Sequence, residues 1–128
     1  MNRERPVRVV VIDDSDDLRG LLRFALSRAG MDVVGEAGDG SAGIEVVREE
    51  RPDVVLLDLA MPIMDGVEAL PLIRELVPDA RIIVFSGFEM PLSQQVLESG
   101  ADGHVVKGTP LKDIVTYVLE SLDDSGLT

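Results

Sequence analysis

The sequence predicts a doubly wound α/β domain made of five βα units. Short runs of Val, Ile and Leu recur along the chain, and each is followed by a longer stretch whose apolar residues repeat with helical spacing. Three of those runs, Val9-Val10-Val11-Ile12, Val54-Val55-Leu56-Leu57 and Ile82-Ile83-Val84-Phe85, are continuously apolar, as parallel strands buried on both faces must be. The size agrees with one such domain: 128 residues hold 41 Val, Leu and Ile but only 4 aromatic side chains, enough for an aliphatic, β-branched core.

Taken in order, strands are expected over 7–12, 32–37, 53–57, 81–85 and 103–106, with the second and fifth nearer the edges because they lack an unbroken apolar run. Leu18, Leu21, Leu22, Ala25, Leu26 and Ala29 mark the first helix, and Leu111, Ile114, Val115, Val118, Leu119 and Leu122 repeat the same spacing in the last. A third helix should start at Asp65, which with Glu68 has capping-box spacing, and Pro71 inside it should bend or shorten it. The second helix has Ser41 as a candidate cap; the fourth, marked by Leu92, Val96 and Leu97, should end at Gly100. No repeat or internal linker interrupts residues 7–122, and 123–128 reads as a polar tail or the start of a linker, so 1–128 is expected to be a single domain.

Composition excludes several function classes. With no Cys there is no disulfide framework, thiolate metal site or cysteine nucleophile, and nothing points to an oxidising compartment. Asp plus Glu outnumber Lys plus Arg by 24 to 12, and a net charge of −12 disfavours direct binding to nucleic acid or to an anionic membrane. The first apolar run ends at Ile12, too short for a secretory or spanning segment, so a cytoplasmic protein with protein partners is expected.

The chemistry gathers at strand ends. The first strand runs into Asp13-Asp14, the third into Asp58, the fourth into Ser86 and the fifth into Lys107. In a doubly wound sheet these ends share one rim, where ligands bind. Three carboxylates, a hydroxyl and an ammonium in one crevice suit Mg²⁺, a hard cation that keeps several waters and needs few protein oxygens. Asp13, Asp14 and Asp58 against Lys107 leave two negative charges, which one Mg²⁺ offsets, so that an anionic phosphoryl group can enter.

These residues, with Asp58-Leu59-Ala60-Met61-Pro62-Ile63-Met64-Asp65-Gly66 and Ser86-Gly87, closely resemble the receiver domain of two-component response regulators over roughly residues 7–122. The resemblance implies the flavodoxin-like strand order 2-1-3-4-5. It implies that Asp58 accepts a phosphoryl group from a sensor histidine kinase or phosphotransfer protein. Mg²⁺ would be held by Asp14, Asp58 and the main-chain carbonyl of Ala60, with Asp13 acting through water. Lys107 would stabilise charge on the transferring oxygens and Ser86 would donate its hydroxyl to one of them. The domain would be a switch and not an enzyme beyond its own phosphorylation and dephosphorylation. It would change the surface of its fourth helix, fifth strand and fifth helix toward an output domain or effector, with pairing of two copies through the last helix region compatible with the family.

Two positions depart from the family pattern. The switch aromatic three residues before the lysine is His104 here, whose polar edge needs a partner when buried. Gly108 stands where many members have proline, so a cis bond after Lys107 is not assumed; the Lys107-Gly108-Thr109-Pro110 pattern resembles receivers that precede DNA-binding helix-turn-helix domains. Blander readings exist for each residue. Asp13 and Asp14 could cap the first helix, Ser86 could be turn chemistry, Lys107 could be one of two solvated lysines, and His104 a packed or surface side chain. Met61, Met64 and Met90 read as gap fillers, and Phe88 either lines access to the site or covers a loop. A haloacid-dehalogenase-type phosphatase would need a second acid where Ala60 stands, and a dinucleotide-binding protein a Gly-x-Gly where Asp13-Asp14-Ser15-Asp16-Asp17 stands. A receiver-shaped module that does not use phosphate is the remaining alternative.

Overall fold

A computed structural model describes residues 5–87 and 94–126. The elements alternate: β1 (Arg8–Ile12), α1 (Asp16–Arg28), β2 (Asp32–Ala37), α2 (Gly40–Glu50), β3 (Val54–Asp58), α3 (Gly66–Leu76), β4 (Arg81–Ser86), α4 (Gln94–Glu98), β5 (Gly103–Val106) and α5 (Leu111–Gly126). The strands form one parallel sheet in the order β2-β1-β3-β4-β5. The three continuously apolar runs are the three central strands, and the two weaker ones are the edges.

Strand alternation explains how unbroken apolar runs serve two cores. Val9, Val11, Val54, Leu56, Ile83, Phe85 and Val105 point to the face covered by α1 and α5, where they meet Leu22, Leu26, Ile114 and Val118. Val10, Ile12, Val55, Leu57, Ile82 and Val84 point to the other face, against Ile44, Val47, Leu70, Ile73 and Val96 of α2, α3 and α4. Each such fully buried aliphatic side chain contributes roughly 1.5–3 kcal/mol relative to exposure. Met61 and Met64 pack at the margin of this second core as gap fillers.

Several local expectations need correction. β3 and β4 each run one residue further than expected, so Asp58 and Ser86 are the last residues of their strands instead of the first loop residues. Asp39, not Ser41, caps α2, its carboxylate accepting from the amide of Ala42. At Gly40, the first helical residue, a Cβ would run into Met64, whose carbonyl accepts from the Gly40 amide at 2.7 Å. At α1 neither Asp13 nor Asp14 is the cap; Ser15 is, its hydroxyl accepting from Leu18. Asp65 caps α3 as expected, and the helix continues through Pro71, on its exposed side, to Leu76. In the apolar stripe of α1, Leu22 and Leu26 are buried whereas Leu21 is 52 % exposed. The stripe is wider than the strip of sheet that α1 covers. Gly100 follows α4 at φ 124°, a left-handed stop as expected. Phe88, Met90 and Leu92 lie outside the described residues, as does the end of the tail.

Candidate functional site

Strand register brings the chemistry-bearing residues together. Ile12 is level with Leu57, so Asp13 follows β1 where Asp58 ends β3. Asp58 is level with Phe85, one residue before Ser86, and Ser86 is level with Val106, one residue before Lys107. Main-chain bonds continue the sheet pattern past these ends: the amide of Asp13 donates to Ala37 (2.9 Å), that of Leu59 to Phe85 (3.1 Å) and that of Lys107 to Ser86 (2.9 Å). Strand pairing therefore continues one residue past each of these ends.

Asp58 is fully buried. Its Oδ1 accepts from the Ala60 amide at 3.1 Å and pairs with Lys107 Nζ at 2.9 Å, while Oδ2 is buried without a partner. Asp13 is also buried; its Oδ1 accepts from the Ser15 amide at 2.8 Å, and its Oδ2 is likewise without a partner. Asp14 is exposed at the mouth. One carboxylate oxygen from each of the three lies within 4.8 Å of the others. Ser86 is buried beside them at the end of β4, and Lys107 is about one-third exposed.

The electrostatics follow from this crowding. Burial raises the Asp13 carboxyl above its ordinary value, and the charges of Asp58 and Asp14 add to the rise against the Ser15 amide and Lys107. Burial works to lower Lys107, but the bond to Asp58 and the charges of Asp58, Asp13 and Asp14 outweigh it and leave the ammonium above its ordinary value. Two buried carboxylate oxygens without donors are costly unless a cation meets them. Hard oxygen donors, an excess of negative charge and two buried carboxylate oxygens without partners fit a small divalent cation such as Mg²⁺.

The loop after Asp58 is pinned from behind. A Cβ on Gly66 would run into the Asp58 carbonyl oxygen and Leu59, and the Gly66 amide donates to Leu59 at 3.1 Å. Gly66 reads in sequence as a mere helix start, and its role as a close-approach residue needs the fold. Arg19 was also not legible. Its Nη1 donates to the main-chain carbonyl of Asp13 at 2.5 Å and its Nε to Glu36 at 3.3 Å. The only sequence signal was an arginine in the second turn of α1 and an acid near the end of β2. His104 is half-buried on β5, its amide donating to Tyr117 Oη at 3.1 Å. The Lys107–Gly108 bond is trans.

Comparison with known proteins agrees with this geometry. The response regulator receiver domain family matches residues 9–119. The chain is 41 % identical over 116 residues to the probable transcriptional regulatory protein NarL of Mycobacterium tuberculosis, covering 89 % of this chain and 54 % of NarL. It is 35 % identical over 101 residues to chemotaxis protein CheY of Thermotoga maritima (78 % of this chain, 84 % of CheY). Against response regulator protein VraR of Staphylococcus saprophyticus it is 30 % identical over 124 residues, 95 % of this chain and 59 % of VraR. The chain thus spans little more than half the length of NarL and VraR. The solved signal receiver domain of that NarL superposes with a TM-score of 0.81 at 37 % identity, covering 91 % of this chain and 95 % of that one. The site, the sheet order and these matches together establish that the chain belongs to the response regulator receiver domain family of two-component systems.

Proposed function

We propose that the chain is a phosphorylation-controlled switch whose acceptor is Asp58. The observation that supports it most directly is the asymmetry of the Asp58 carboxylate: one oxygen is held by Lys107 and Ala60, and the other is buried, without a partner, beside Asp13 and Asp14. Receiver domains bind Mg²⁺ at an acidic pocket; in this chain Asp14, Asp58 and the Ala60 carbonyl would hold it, with Asp13 acting through water. Mg²⁺, when bound, supplies the positive charge that offsets the excess carboxylate charge and the charge on the transferring oxygens.

The remaining work belongs to the chain's own residues. Asp58, fixed by Ala60 and Lys107, is positioned for in-line attack, so that its bond to phosphorus forms as the donor's P–N bond breaks and the electron pair returns to the imidazole nitrogen. Lys107 stays protonated and follows the charge onto the phosphoryl oxygens. Ser86, at the end of the neighbouring strand, offers its hydroxyl to one of them, and this draws the end of β4 toward the site. His104 lies two register positions before Ser86's partner on β5 and would carry the change to the surface of α4, β5 and α5. The donor would be a sensor histidine kinase or phosphotransfer protein, and the recipient an output domain or effector, one that regulates transcription by similarity to NarL. The setting would be cytoplasmic; among the described residues no helix is long and apolar enough to cross a membrane.

Intact mass after incubation with acetyl phosphate tests the reading. Wild type should gain one phosphoryl mass only with Mg²⁺ present, and Asp58→Ala should gain none. A folded wild-type protein that gains nothing, and forms no complex with beryllofluoride and Mg²⁺, would favour the phosphate-independent module instead.

A further inference from the structure

Three carboxylates crowded within 4.8 Å repel one another, and without restraint the turn carrying two of them would spread. What restrains it is visible around Asp13. Its amide donates to Ala37, its Oδ1 accepts from Ser15, and its carbonyl accepts from Arg19, which leaves Oδ2 without a partner. Arg19 is itself anchored. Its side chain is 17 % exposed, its Nε donates to Glu36 near the end of β2 and its Nη2 to Asp16, while Glu36 is also paired with Arg23. The guanidinium lies against Gly38, where a Cβ would come within 3.4 Å of Nη1. One rigid fork therefore ties the end of β1 to the end of β2 and to the first turn of α1.

We propose that Arg19 is a positioning residue for the cation: it clamps the Asp13 main chain so that the unpartnered Oδ2 stays grouped with the oxygens of Asp14 and Asp58. This rests on the reading of Asp13, Asp14 and Asp58 as the Mg²⁺ site. Outer partners that fix a metal ligand commonly govern affinity although they never touch the metal. Charge and position make opposite predictions here. A positive charge near the site opposes cation binding, so removing it should tighten Mg²⁺ if Arg19 acts only through its field. Removing a clamp should weaken Mg²⁺.

Arg23 supplies the control, because it pairs with the same Glu36 and does not reach the Asp13 carbonyl. The experiment is a calorimetric titration of Mg²⁺ into the full chain, with the Asp13 amide resonance followed in parallel. Arg19→Gln should raise the Kd for Mg²⁺ by about tenfold and shift the Asp13 amide before metal is added. Arg23→Gln should bind Mg²⁺ no more weakly than wild type. Should Arg19→Gln not fold, Arg19→Lys, which keeps the charge but not the fork, takes its place with the same expected direction. Wild-type affinity or tighter binding in the Arg19 variant, or equal weakening in the Arg23 control, overturns the inference. Wild-type protein that binds no Mg²⁺ at all would overturn the reading of the site as well.

Discussion

The two ends of the sheet handle charge in opposite ways. At the amino ends of the strands, cations and anions are matched: Arg5 with Asp53, Arg8 with Glu50, and Arg74 and Arg81 with Asp102. Arg74 alone donates to the carbonyls of Pro78, Ala80 and Gly100 and to Asp102, joining α3, β4 and the turn before β5. At the carboxyl ends, three carboxylates face one lysine. Of the three buried side-chain atoms without a partner among the described residues, two are the Oδ2 atoms of Asp13 and Asp58; the third, Arg81 Nε, lies at the matched end. The amino end thus pairs its charges, whereas at the carboxyl end three clustered carboxylates share one lysine, with the Arg19–Glu36–Arg23 pairs beside them. Within one small domain, balanced charges mark the end that holds the fold, and an excess of buried carboxylate charge marks the candidate site.

The largest expected effect should come from breaking the matched end. Arg74→Ala strands several carbonyls and the Asp102 carboxylate, and should lower stability by about 2–3 kcal/mol in a denaturant titration, while leaving Mg²⁺ affinity at the far rim unchanged. The unmatched end should respond with the opposite sign. Asp13→Asn keeps the acceptor for Ser15 but removes a buried charge and adds a donor, so without metal it should stabilise the fold by about 1 kcal/mol. It should also lose the thermal upshift expected of wild type on adding Mg²⁺.

Titration sharpens the contrast. The native Asp13 carboxyl holds its proton more firmly than the unfolded chain does, so protonation favours folding; without metal, stability should decline as pH rises from below 3.8 through the raised value. Lys107 acts at the other end of the scale. Its contribution is fully present below 10.5 and is lost as pH rises through its raised value, and Lys107→Met should flatten that alkaline limb of a pH–stability curve. The smallest effect concerns neither rim chemistry nor its salt bridges. Asp39→Ala should cost about 1 kcal/mol as loss of the α2 cap, and Ser41→Ala should stay within about 0.5 kcal/mol in thermal melts.

Sequence alone determined the five βα units, the central and edge strands, and the grouping of Asp13, Asp14, Asp58, Ser86 and Lys107 at strand ends. Periodicity and strand ends are local properties, and parallel topology carries every strand's carboxyl end to the same rim. Only the tertiary structure decided which oxygens remain unpaired, which face of α1 is covered, and what Gly66 and Arg19 do. Gly66 matters because the Asp58 carbonyl passes against it, and Arg19 because Asp13 and Glu36, 23 residues apart in the chain, lie at the carboxyl ends of neighbouring strands. The caps divided along the same line. Asp65 was legible from a motif, whereas Asp39 caps α2 in place of Ser41, and Gly40 beside it packs against Met64 from another loop. A contact between distant segments leaves no period in a sequence, since it depends on the sheet that brings those segments together.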